Sequence, residues 1–280
     1  MFYYCRWSDN LARTAGKTVN TGTEDAGYPA SNLSDDLPQR PAKLTTTAGS
    51  WLFDCGTEVA PELFCVIHHN LQSGSTAWLQ ASASTSFTSP ALNIAVPIIA
   101  ANADKFPVNL KVDLKLLYPF TLDRTYRYWR FVVAGNSVPV AVGEIVLSAK
   151  RRDLTVRNIK RGSDRLLRRP AVIHDTELLV RHAYDLGTTI RGCSVEIQPS
   201  DATLKEVETW FRDATATRPF IIIPYYPDPT GGYSSALDDD PWLVTFLNQD
   251  QPYKREFRNY NTLTIPFQEL SRGLYPTPWP

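Results

Sequence analysis

The chain has 280 residues, 43% of them apolar and 21% charged, and its 29 basic side chains are matched by 29 acidic ones. That composition excludes a disordered or fibrous chain, and zero net charge excludes a molecule that adheres as a whole to nucleic acid or to an anionic membrane. The length allows one large domain or two ordinary ones, and no apolar run approaches the roughly 20 residues that span a bilayer.

The opening MFYYCRWSDN lacks the basic and apolar regions of a secretory signal, and Cys5, Cys55, Cys65 and Cys193 form no CxxC pair. Free thiols in a reducing compartment are expected. Cys55 and Cys65 flank an apolar run, and a hairpin is the arrangement that would let them meet. Next comes YPASNLSDDLPQRPAKLTT, residues 28–47, in which Pro29, Asn32, Asp35 and Pro38 read as turn formers leading into a core strand at Trp51.

Short alternating or apolar runs broken by Pro, Gly, Ser and Asn follow, with candidate strands at 51–55, 63–68, 77–82, 126–133 and 142–149. This is the all-β pattern of a sandwich or barrel. In YRYWRFVV, Trp129 and Phe131 alternate with Tyr128 and Arg130, which predicts one face in a core. Arg124, Arg127 and Arg130 lie among aromatics. They read as cations stacked on a sheet rim, with a nucleic-acid platform as the alternative.

The composition changes at 150–169, where KRRDLTVRNIKRGSDRLLRR sets nine basic residues against two acidic ones, at the place where a domain boundary is expected. Three readings stay open: an exposed linker pairing with acidic surface on a neighbour, a solvated strand and turn, or a nucleic-acid contact. An acidic counterpart occurs in the loop 228–242, with Asp238, Asp239 and Asp240. The interface residues expected from this pairing are Lys150, Arg151, Arg152, Lys160, Arg161, Arg168 and Arg169 on the basic side, and the three aspartates on the other.

Beyond the boundary, Ser200 and Asp201 suit a helix start, and Leu204, Val207 and Phe211 recur at helical spacing beside Trp210. A helix at 201–214 is predicted. Three β runs follow, RPFIIIPYY, PWLVTFLN and NTLTIPFQEL, with Pro224 and Pro266 marking edges or bulges. The terminal GLYPTPWP reads as an extended arm for a neighbour or as a frayed end. The domains expected are therefore 1–150, a β-sandwich, and 151–280, a second β-sandwich or barrel with one flanking helix.

No catalytic arrangement stands out. His68 and His69 are adjacent on a strand and would point to opposite faces, so they cannot hold one ion together. His174 has Asp175 and Glu177 nearby, and His182 follows, but no nucleophile can be placed with them. The aspartate loop lacks the spacing of a calcium site, and no carboxylate pair suited to glycoside hydrolysis can be picked out. No catalytic residue, metal ligand or cofactor is assigned, and a non-enzymatic protein is expected.

YPASNLSDD, WLFDCGTEV, YRYWRFVV and VAVGEIVLSA, in that order, carry a resemblance to the discoidin (coagulation factor 5/8 type C) jelly roll over most of residues 20–150. The matching positions are Asn32 and Asp35, then Trp51, Asp54 and Gly56, then Trp129 and Arg130, then Gly143, Glu144 and Ile145. FCVIHHNL is similar to versions of this domain in tail proteins of tailed bacteriophages. The second half, from the Pro-Ser-Asp helix through RPFIIIPYYPD, WLVTFLN and YKREFRNYNTLTIPFQEL, resembles the ring-forming hub of phage distal tail (Dit-like) proteins, although here the hub comes last.

These resemblances imply a structural protein of a phage tail tip or baseplate, located in the virion tail and assembled in the bacterial host cytoplasm. Its implied partners are copies of itself in a homo-oligomeric ring, a hexamer with a trimer as the alternative, then the tail tube protein and the hub, tip and fibre proteins, with no membrane. The alternative is a carbohydrate-binding module recognising host-surface glycan through loops at one end of the jelly roll, with Trp7, Tyr28 and Trp51 as stacking surfaces.

Overall fold

The computed structural model describes residues 2–38, 40–98, 109–154, 158–159, 171–175, 181–185, 192–197, 201–214, 218–224, 241–246 and 263–269. The chain is mainly β and divides into two compact units, Met1–Leu154 with Phe220–Trp242, and Thr155–Pro219 with Leu243–Pro280.

The first unit contains β1 (Phe2–Cys5), β2 (Gly16–Thr21), β3 (Ala42–Lys43), β4 (Gly49–Val59), β5 (Leu63–His69), β6 (Thr76–Ser82), β7 (Leu92–Ala95), β8 (Leu110–Asp113), the short helix α1 (Leu114–Leu117), β9 (Tyr126–Ala134), β10 (Ala141–Ser148) and β11 (Arg152–Leu154). Two antiparallel sheets, β2-β4-β9-β6-β7 and β3-β10-β5-β8, pack face to face as a jelly-roll sandwich. Period-two alternation aims one set of side chains inward from each sheet. Trp51, Phe53, Trp129, Phe131 and Val133 from one sheet join Phe64, Val66, Val142 and Leu147 from the other in a single buried cluster. Phe131 stacks on Trp51 within its sheet, with ring centroids 6.4 Å apart, and meets Phe64 across the sandwich at 5.5 Å.

Strands β5 and β10 are buried along their whole length. A strand with one face in the sandwich and the other in water would alternate, so the outward side chains, such as Cys65, Ile67 and Val146, are covered as well. At the rim of this sheet Asn109 Nδ2 donates to Pro241 O at 2.8 Å while its Oδ1 accepts from His68 N. The connection after α1 instead leaves Leu116, Leu117, Phe120 and Leu122 exposed.

Continuing along the chain are β12 (Asn158–Ile159), β13 (Ala171–Asp175), β14 (Arg181–Asp185), β15 (Gly192–Ile197), α2 (Asp201–Asp213), β16 (Phe220–Pro224), β17 (Trp242–Phe246) and β18 (Leu263–Glu269). β16 belongs to the first unit, where it pairs with one edge of β1 while β11 pairs with the other. For that reason the division expected at residue 150 comes after Leu154, and 220–242 joins the first unit. In the second unit β15 and β17 both pair with β18, β12 pairs with β15, and β13 forms a hairpin with β14. On α2, Val207 and Trp210 are buried, and Trp210 meets Phe246 at 5.1 Å and Phe267 at 5.6 Å.

Two expectations change. Cys55 lies on β4 and Cys65 on β5, which belong to different sheets, so no hairpin joins them and no disulfide links them. Pro266 sits on a strand flanked on both sides, not on an edge. It pairs with Ser194 of β15 and lies one residue past the last described pair with β17, Phe246 with Phe267, so its missing N–H breaks no described β17 rung.

Candidate functional site

The jelly roll has two ends. At one, the chain enters and leaves, and Asn10 bridges to Ser148. At the other, β2, β5 and β9 finish and β4, β6 and β10 begin, so the connections 22–48, 70–75 and 135–140 converge there. Asn136 braces them. Its backbone N–H donates to Thr47 O at 3.2 Å, its Oδ1 accepts from Gln72 N and Ser75 Oγ at 3.2 and 2.8 Å, and its Nδ2 donates to Val138 O at 2.9 Å. Asn70 adds a second tie, donating to Pro139 O and accepting from Ala141 N. The first loop is bound to itself by Thr45 N to Thr23 O, Lys43 N to Tyr28 O and Asp25 N to Lys43 O.

The result is a pre-ordered rim with its backbone polar groups largely paired. Thr23, Thr45, Thr47, Gln72, Ser73 and Ser137 are exposed on it. Tyr28 is 38% exposed, with Lys43 Nζ 5.4 Å from its ring centroid. Of the three aromatics expected to offer stacking surfaces, Tyr28 alone fits. Trp51 is fully buried in the core. Trp7 has Arg13 lying 4.4 Å over its ring and donates its indole N–H to Asp36. The bracing residues Asn70 and Asn136 escaped the sequence reading, although NLQSGS and GNSVP carry the composition of tight connections.

The other residues singled out in the sequence are placed as follows where they are described. His68 and His69 are both buried at the end of β5, and His69 Nδ1 accepts from Leu71 N. Arg151 pairs with Asp113 and with Asp153, and lies over Tyr3 at 4.4 Å. Arg152 pairs with Asp9 at 3.1 Å, and Lys150 is exposed. Two cations expected to meet a neighbouring subunit are thus matched within the chain. Lys160, Arg161, Arg168, Arg169, Asp238, Asp239, Asp240 and Ser200, expected as the helix cap, lie outside the described residues. His174 and His182 are backbone partners in the register of β13 and β14. Among the described residues no group of three or more His, Cys, Asp or Glu side chains is placed to hold a metal ion, and no helix is long and apolar enough to cross a membrane.

Titratable groups gather beside β10. Glu144 is fully buried, with Arg13 Nη2 4.0 Å away and no hydrogen bond to either carboxylate oxygen. Arg13 is committed to Asp36, and Lys17 Nζ donates to Ala12 O. Burial pushes the Glu144 carboxyl well above its ordinary range. Arg13 and Lys17 pull it back and Asp35 pushes it further. A carboxyl raised on folding contributes stability that is complete below its unfolded value near 4.5 and is lost as pH rises toward the folded one. Glu144→Gln is therefore expected to match the parent near pH 4.5 and to be the more stable of the two at pH 8, read from urea unfolding at both pH values.

No protein-family model and no curated protein matches the chain. Solved structures similar to about half of the chain include a Streptococcus pneumoniae fucose binding module (13% identity, TM-score 0.38, 50% of this chain and 98% of that one). Another is the lectin domain of lectinolysin complexed with Lewis B antigen (13%, 0.38, 51% and 98%). A third is chitosan-binding module 1 of a chitosanase/glucanase from Paenibacillus sp. IK-5 (16%, 0.34, 50% and 98%).

Proposed function

We propose that the jelly roll is a non-catalytic glycan-binding module that receives its ligand on the rim formed by residues 22–48, 70–75 and 135–140. The observation that carries this reading is the bracing by Asn136 and Asn70. It leaves neutral hydroxyls and amides exposed beside Tyr28 on loops already ordered, so little conformational entropy remains to be lost on binding. Hydroxyl-rich ligands suit such a surface, with the Tyr28 ring against a sugar face and Thr45, Thr47, Gln72 and Ser137 as hydrogen-bond partners. A glycan array would identify the ligand, and Tyr28→Ala is expected to weaken it about tenfold without a change in melting temperature. A blank array, or an alanine variant that binds as well as the parent, overturns the reading.

A scaffold role in a phage tail tip, as a ring that joins tail tube to hub and fibre proteins, is the second reading. One observation favours it: β1 leaves the sandwich to pair with β11 and β16, so the jelly roll is stitched into a further β layer instead of hanging on a flexible linker. Light scattering and negative-stain imaging of the full chain, alone and with tube and hub proteins, test it. A strict monomer that ignores both overturns it.

A further inference from the structure

The outer face of the five-stranded sheet carries a set of side chains that the loop-rim reading does not use. Ala77, Leu79 and Ala81 of β6 and Trp129, Phe131 and Val133 of β9 are buried, so alternation places Trp78, Gln80, Arg130 and Val132 on the solvent side, where all four are partly exposed. Register sets Trp78 between Val132 and Ala95, and Gln80 between Arg130 and Asn93. An apolar strip bearing an indole thus runs beside a polar strip bearing a guanidinium. Trp78 and Arg130 are diagonal neighbours, about 7–8 Å apart.

Arg130 is held in place without being neutralised. Its Nε donates to Gln80 Oε1 at 2.9 Å, its Nη2 donates to the same oxygen, and its guanidinium lies 4.2 Å over the Phe87 ring. Gln80 is oriented in turn by donating Nε2 to Asn93 Oδ1 at 3.0 Å. Arg13, Arg127, Arg151 and Arg152 each pair with a carboxylate, whereas the partner of Arg130 is a neutral amide, and Nη1 makes no hydrogen bond among the described residues. A fixed, uncompensated guanidinium with one free edge matches a carboxylate, and an indole on an open sheet face matches the flat side of a sugar ring.

We propose that this face is a second saccharide surface, specific for chains that carry carboxylates, the uronic-acid class. Trp78 stacks against one ring, the free edge of Arg130 pairs with the carboxylate, and exposed Asn93 offers its amide to a hydroxyl. An open sheet admits the middle of an extended chain, unlike the loop rim at the end of the sandwich. The proposal does not rest on the loop-rim reading, since no residue is shared between the two.

The test is calorimetric titration of the full-length protein with oligomers of galacturonate, mannuronate and glucuronate, each beside its neutral methyl ester. At least one acid is expected to bind and its ester to bind at least about tenfold more weakly. Arg130→Gln and Trp78→Ala are each expected to weaken binding at least about fivefold, while Tyr28→Ala leaves it unchanged. Arg130→Lys keeps the charge but loses the fork, and is expected to recover only part of the affinity; it also stands in if Arg130→Gln fails to fold. Three outcomes overturn the proposal: none of the acids binds, acid and ester bind alike, or single-stranded DNA of equal charge binds as tightly as the acid. Loss of acid binding in Tyr28→Ala with retention in Trp78→Ala overturns it too, while leaving the loop-rim reading intact.

Discussion

Trp129→Ala is expected to cost about 3–5 kcal/mol, enough to leave a domain of ordinary stability close to unfolding. Trp129 is fully buried at the middle of β9, the central strand of the five-stranded sheet, and its indole N–H donates to Tyr126 O at 3.1 Å. Truncation removes a large apolar surface from the cluster it shares with Phe53 and Phe131, and the surrounding sheets can collapse only partly into the cavity. Urea unfolding followed by tryptophan fluorescence and by far-ultraviolet circular dichroism measures the loss. A cost under about 1 kcal/mol would mean that the two sheets are not packed through this residue.

Gly143→Ala is expected to cost about 3 kcal/mol, the upper end for overpacking, although it adds a single methyl group. A Cβ at this position would stand 2.4 Å from Pro38 O and 2.9 Å from the His68 Cβ. The first of these is backbone and the second is the stem of a buried side chain, so neither can swing aside. The turn at Pro38 must therefore lift off β10, and with it Asp36, the partner of Arg13 and Trp7. Thermal unfolding of the variant checks the size. Pro38→Ala leaves the obstructing carbonyl in place and is expected to rescue none of it.

What the sequence disclosed was periodicity and turn chemistry, both of which are local. Alternation of Trp129 and Phe131 with Tyr128 and Arg130 placed β9 and its buried face, and the spacing of Leu204, Val207 and Phe211 placed α2. The same logic applied to TAWLQAS sets Trp78 and Gln80 opposite Ala77 and Leu79. An indole on the polar side of a strand was therefore visible, but the partner that gives it meaning, Arg130, comes from a strand some 50 residues later. Long-range pairing was out of reach for the same reason. A hairpin contact between Cys55 and Cys65 stayed open because nothing local says that β4 and β5 enter different sheets. Trp51 read as a candidate stacking surface because an aromatic at a strand start looks alike whether it faces water or core. Arg151 and Arg152 read as free cations because Asp113 and Asp9, which match them, lie 38 and 143 positions away.

The place of β1 governs the order in which this chain can assemble during synthesis. Phe2 pairs with Pro224, which is synthesised 222 positions later (224 minus 2). At about 5–20 residues per second, roughly 10–45 s pass before that second neighbour exists. β11 closes one edge of β1 earlier, at Leu154, and the sandwich from β2 to β10 is by then complete. β1, made before the other described strands, is thus among the last of them to be enclosed, and until then it presents an open edge that any passing strand can join.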